Sequence, residues 1–228
     1  MLLRELFEMP RCVVCGREPD GVEDQLLCNS CRKRFAYEEK HRCSVCGQAY
    51  RACHCKPQFA SPYIENYMRY SYYREERVVG RMALAAKDRE DRHLNRFMAQ
   101  RLAEVVTKRG ITADVIVFVP CADESFVRAG YDHGGLLAKA LGKQLSLPIA
   151  DCFHRRRGSA QKKLGAAERL ANSKSSLLPR TNAADLVRGK RVLLLDDIMT
   201  TGASALVASV HLHEMGAKTI DFVCFGSR

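Results

Sequence analysis

The chain has 228 residues, 37 Lys and Arg against 26 Asp and Glu for a formal charge of +11, and 46% hydrophobic side chains. That balance is globular and excludes a disordered, fibrous or collagen-like protein. No apolar run approaches the ~20 residues of a membrane-spanning helix; the longest is Val115–Ala122, so no membrane insertion is expected. Met1–Pro10 is broken by Arg4, Glu5 and Glu8, unlike a secretory leader, and a cytoplasmic protein is expected. The length suits one full α/β domain and a small module.

The chain opens on cysteine. Of 11 cysteines, eight fall within residues 12–55. In a reducing compartment such clustering reads as metal ligation, not as disulfides. Cys12-Val13-Val14-Cys15-Gly16 recurs as Cys43-Ser44-Val45-Cys46-Gly47, and each copy precedes a second pair, Cys28-x2-Cys31 and then Cys53-x-Cys55. Two short-spaced pairs wrap the two sides of a tetrahedral ion, so Cys12, Cys15, Cys28 and Cys31 form one candidate zinc site. Cys43, Cys46, Cys53 and Cys55 form the second, with His41 or His54 as a substitute for one thiolate. Two structural Zn2+ ions are expected, or one if the second set is degenerate. Four protein ligands leave no position for substrate, so these ions serve folding. Lys56–Pro62, with two prolines, reads as a linker; it divides the chain into a double zinc-ribbon module, 1–58, and a second domain, 59–228.

The second domain alternates strands and helices. An extended aromatic run, Tyr67–Tyr73, leads into helices over about Glu76–Lys87 and His93–Lys108. Val115–Val119 reads as a buried strand ended by Pro120, and Gly135–Leu145 as a helix. Arg155–Arg180 is polar and weakly periodic and reads as a loop or flap. Val192–Leu195 is a second buried strand, Ala203–Met215 a helix stopped by Gly216, and Thr219–Phe225 a last strand. The pattern predicts an α/β fold with a mostly parallel sheet covered by helices on both faces. Cys121, Cys152 and Cys224 read as inert buried thiols.

The most informative stretch is Val192-Leu193-Leu194-Leu195-Asp196-Asp197-Ile198-Met199-Thr200-Thr201-Gly202-Ala203-Ser204. A buried strand runs into two carboxylates, and a hydroxyl- and glycine-containing turn then opens a helix. Amides at a helix N-terminus with Thr and Ser hydroxyls make an anion site. Gly202 is expected to let the backbone approach the anion. Carboxylates there suit ribose hydroxyls or a divalent cation, so the two halves together suit a ribose 5-phosphate unit. The segment resembles the phosphoribosyl pyrophosphate (PRPP) signature of type I phosphoribosyltransferases. That resemblance implies Asp196 and Asp197 on the ribose hydroxyls, the 5-phosphate on Thr200, Thr201, Gly202, Ala203 and Ser204, and Mg2+ with PRPP.

Four cysteine pairs ahead of such a turn resemble the competence protein F (ComF) family over nearly the whole chain. Tyr70-x-Tyr72 with a helix reaching Lys87, Val119-Pro120, and Gly130-Tyr131-Asp132-His133-x-x-Leu136-Leu137-Ala138 are similar to that family's elements. So is Arg156…Gln161…Leu164…Glu168-Arg169-x-x-Asn172. Ala122, Ala129, Asp132 and His133 depart from the family's pattern. The resemblance implies natural competence and use of incoming DNA, with single-stranded DNA and helicase or recombination proteins as partners.

Charge is uneven. Residues 61–228 carry 27 basic and 18 acidic side chains, and Asp151–Arg180 alone eight basic and two acidic. Arg155, Arg156, Arg157, Lys162 and Lys163 are candidates to track a nucleic-acid backbone or to close on a pyrophosphate. The sequence therefore supports a ComF-like protein that binds PRPP and single-stranded DNA. Its alternative is an active phosphoribosyltransferase with a nucleobase-like acceptor. A regulator tuned by PRPP ranks behind both, since no helix-turn-helix is evident. The oligomeric state and any catalytic residue stay unassigned at this level.

Overall fold

A computed structural model describes residues 11–18, 26–121, 127, 130–156 and 165–228. Five strands form one parallel sheet. In chain order they are β1 (Tyr67–Tyr72), β2 (Val115–Phe118), β3 (Ile149–Ala150), β6 (Arg191–Met199) and β7 (Thr219–Ser227), arranged β1-β7-β6-β2-β3. Between β3 and β6 lie β4 (Phe153–Arg155) and β5 (Leu177–Pro179), an antiparallel pair outside the main sheet. Among the described residues the α-helices of four or more residues are α1 (Asn29–Glu38), α2 (Val78–Asp88), α3 (Arg92–Lys108), α4 (His133–Leu145), α5 (Ala166–Ser176), α6 (Ala183–Val187) and α7 (Ala203–Glu214).

The period-2 geometry of strands sorts the core into two layers. Ile116, Phe118, Leu193, Leu195, Val223 and Phe225 face one way and pack with Met82 of α2, Leu102 of α3 and Leu141 of α4. Val115, Val117, Val192, Leu194, Ile220 and Phe222 face the other and pack with Val187 of α6 and Ala208 and Leu212 of α7. A sheet buried on both faces needs continuous apolar strands, and Val115–Phe118 and Val192–Leu195 supply them. The expected α/β class and parallel sheet are thus observed.

The expected loop over Arg155–Arg180 is corrected. Arg155 ends β4, and α5 and β5 follow within that span. Only Ser173 and Ser176 of α5 are buried. A helix that turns small hydroxyl residues inward shows no apolar stripe in its sequence. Arg157, Lys162 and Lys163, with Gln161 and Leu164, lie outside the described residues.

The cysteine-rich segment packs directly on the sheet domain. Cys12, Leu26, Leu27, Cys28, Cys31 and Phe35 share one core with Met68, Tyr70 and the helices on that face. Glu38, at the end of α1, accepts from the Val78 and Val79 amides at 3.1 and 3.3 Å. Those amides open α2, whose own N-cap, Arg77, offers no side-chain acceptor; the carboxylate therefore caps α2 from another element. Among the described residues, no helix is long and apolar enough to cross a membrane.

Candidate active site

The site forms where β6 meets α7. β6 runs past the apolar stretch and through both acids to Met199, four residues beyond the expected Leu195. Main-chain pairing with β7 continues as far as Met199↔Ser227. The two acids then diverge. Asp196 lines a cleft of about 240 Å³ together with Arg155, Arg169 and the Thr200–Ser204 turn. Asp197 is buried and turns to other partners: its Oδ2 lies 2.9 Å from Lys87 Nζ and 3.5 Å from His133 Nε2. The expectation that both carboxylates act alike is thereby refined; Asp196 faces the cleft, and Asp197 holds Lys87 and His133.

Their electrostatics differ accordingly. Burial, and then the neighbouring Asp197 charge, push the Asp196 carboxyl upward. Burial acts to raise Asp197 too, but the Lys87 ammonium and His133 outweigh it and hold that carboxyl well below the usual range. The Asp197 charge in turn raises Lys87. Two adjacent carboxylates are thus kept in opposite protonation tendencies by the partners that one of them holds, Lys87 first.

The turn itself is an anion cradle in form. Gly202 takes φ +84° and is the N-cap of α7. The first amides of a helix have no intrahelical acceptor, and here they sit beside the Thr200, Thr201 and Ser204 hydroxyls. The Arg155 Nη2 donates to Ser204 Oγ at 2.7 Å, and Arg169 Nη1 to Thr200 Oγ1 at 3.0 Å. The buried Arg155 Nε has no acceptor among the described residues. Gly202 also meets a steric demand that the sequence did not suggest. A Cβ there would lie 2.7 Å from Pro57 Cγ and 2.9 Å from the Phe59 carbonyl oxygen. The glycine makes room for the linker behind the turn, where the Phe59 amide donates to the Thr201 carbonyl at 2.8 Å.

The chain matches the phosphoribosyl transferase domain model over residues 84–228. It belongs to that family. No curated protein matches it. Among solved structures, the phosphoribosyl transferase domain is similar to an allosteric regulatory enzyme of purine biosynthesis, at 19% identity and a TM-score of 0.39, over 57% of this chain and 26% of that one. It is also similar to the glutamine PRPP amidotransferase of B. subtilis, at 18% identity and 0.37, over 64% and 27%. A third is a purine phosphoribosyltransferase from Pyrococcus horikoshii, at 18% and 0.35, over 57% and 71%. The chain spans about a quarter of the length of the first two.

Of the expected basic group, Arg155 is turned into the cleft, whereas Arg156 is exposed and its amide donates to the Ser176 carbonyl at 2.9 Å. Lys87 and His133 had no role assigned from sequence. Each comes from an element remote in the chain, so only the resemblance to a lysine-ended helix pointed toward Lys87.

Both cysteine sets converge. In each, all four sulfurs lie within 4.8 Å of one another. Cys15–Cys28, Cys46–Cys53 and Cys43–Cys55 are 3.7, 3.6 and 3.9 Å apart. A tetrahedron with Zn–S bonds of about 2.3 Å has edges of about 3.8 Å, so each set fits a zinc ion. His41 stacks on Tyr72 and His54 lies against Arg109, so neither belongs to the second cluster. Of the tyrosines near β1, Tyr67, Tyr70 and Tyr73 are buried.

Proposed function

We propose that this protein binds PRPP and transfers its phosphoribosyl group to a nucleobase-like nitrogen, releasing pyrophosphate. The observation that carries this reading is the buried Arg155 Nε, without a partner among the described residues, beside the amides and hydroxyls of Thr200–Ser204. An orphaned buried donor in an amide-rich cleft fits an anion. The 5-phosphate would rest on the opening of α7, with Arg155 and Arg169 beside it. Asp196 would accept from ribose hydroxyls, and Asp197 would fix Lys87 and His133 at the cleft's margin. The acceptor nitrogen bonds to the anomeric carbon as that carbon's bond to the pyrophosphate oxygen breaks. Mg2+, bound with the substrate, would neutralise charge on the departing pyrophosphate. The protein's share is positioning and fixed electrostatics.

Calorimetric titration with PRPP and Mg2+ tests binding. Asp196→Asn should weaken it about two- to tenfold, since burial favours the uncharged carboxyl and a neutral hydrogen bond contributes roughly 0.5–1.5 kcal/mol. Wild type that shows no binding with Mg2+ would overturn the reading. Release of labelled pyrophosphate in the presence of a panel of bases tests transfer.

A second reading is a ComF-like factor that binds PRPP and single-stranded DNA during competence, in the cytoplasm, with helicase or recombination partners. Two four-cysteine clusters preceding the phosphoribosyl transferase domain, and the exposed Arg156 in a basic stretch, favour it. Salt-sensitive oligonucleotide binding without pyrophosphate release would select this reading over the first. In both readings the zinc ions are structural, and residues 1–58 and 59–228 are the two functional parts.

A further inference from the structure

A third set of metal-ligating side chains lies apart from the two four-cysteine clusters. The Cys121 sulfur, an Asp132 carboxylate oxygen and a His133 ring nitrogen all fall within 4.8 Å of one another. Cys121 follows Pro120 just beyond β2, and Asp132 and His133 open α4, so the parallel sheet's upper edge brings them together. The carboxylate is fixed in place. The Cys121 amide donates to Asp132 Oδ2 and the Gly135 amide to Oδ1, both at 3.1 Å. Each carboxylate oxygen keeps a further lone pair for a cation.

The donor set selects the ion. A thiolate disfavours Mg2+ and Ca2+ and suits zinc-class metals, while imidazole and carboxylate complete a mixed S, N, O set. Three protein donors leave a fourth position open, unlike the closed four-cysteine clusters. The His133 Nε2 also lies 3.5 Å from Asp197 Oδ2. A carboxylate beside the ring is the partner that metal-bound imidazoles take, since it fixes the tautomer and orientation. A cation here would therefore sit near Asp197, behind the cleft-facing Asp196, without using the phosphate turn.

We propose that Cys121, Asp132 and His133 form a third metal site, which binds a zinc-class divalent cation with one coordination position open beside Asp197. Binding replaces the thiol proton, which leaves to solvent.

The test uses the full chain with both four-cysteine clusters filled with zinc, titrated with Co2+ at neutral pH. One further equivalent should bind and should develop near-ultraviolet thiolate-to-cobalt charge-transfer absorption. Cys121→Ala and His133→Gln should each lose that equivalent while retaining cluster zinc. Asp132→Asn keeps an acceptor for α4 and should weaken cobalt binding about tenfold or more. Wild type that takes up no further cobalt overturns the proposal. So does uptake without the charge-transfer band, a result read on wild type alone and independent of how any variant folds. Undiminished uptake by both Cys121→Ala and His133→Gln overturns it as well.

Discussion

The two cysteine clusters have the same four ligands and opposite surroundings. The first is set into the apolar core: Leu27 and Phe35 accompany it, and Phe35 packs on Phe97 of α3 with ring centroids 5.5 Å apart. The second has a core of its own made of Cys43, Tyr50 and Cys53, with Cys55 and Tyr72 at its margin. Tyr72 of β1 packs on Tyr50, and guanidinium groups add further ties to the domain. The buried Arg69 donates to the Cys55 carbonyl, and Arg109 donates to the Cys53 and Arg51 carbonyls at 2.8 and 3.1 Å. Four thiolates around Zn2+ carry a net charge of about −2, and a cation beside them offsets it. The first cluster is thus set in place by hydrophobic burial, and the second largely by charge and a small aromatic core. Ligand identity alone does not set what a metal site contributes; its neighbours do.

Chelation should expose that difference most strongly. Structural zinc contributes an apparent ~10–16 kcal/mol in small zinc modules. Hydrogen exchange on chelated protein should show residues 43–55 losing protection fully, while 26–38 keep part of theirs through the apolar core. Equal loss in both would break the comparison.

Arg69→Met should come next. Losing a hydrogen bond from a buried charged donor costs roughly 1.5–3 kcal/mol. Competition with a chromophoric chelator should find one zinc ion released far more readily, from the second cluster. Loss from both clusters alike would show that Arg69 supports the domain in general.

Glu38→Ala sharpens the other side. It removes the acceptor for two amides at the start of α2 and should cost about 1–3 kcal/mol. Denaturant unfolding should show the loss without any change in zinc content. Early zinc release from this variant would mean that the first cluster depends on a polar contact after all.

Much of the sheet was legible because its strands are buried on both faces, and Val115–Phe118 and Val192–Leu195 announce this by composition. The acid pair and its turn were legible because all their parts are consecutive. Helix α5 was not, since it buries Ser173 and Ser176 in place of an apolar stripe. The division of labour between Asp196 and Asp197 was hidden for another reason: Lys87 and His133, which decide it, arrive from α2 and α4. Cys121 is buried, as expected of an inert thiol; its proposed grouping with Asp132 and His133, 11 and 12 positions on, has no metal-ligand spacing to announce it.

The linker seated behind Gly202 bears on whether the PRPP-type motif can be transplanted. Pro57 and Phe59 stand before residue 84, where the family match begins, and so does the edge strand β1. A fragment trimmed to 84–228 would retain Asp196, the Thr200–Ser204 hydroxyls and both cleft arginines. It would lose the amide that engages the Thr201 carbonyl and the proline ring that backs the turn. The groups that touch a ligand would be inherited intact, while the stiffness that aims them would be left behind with the cysteine module.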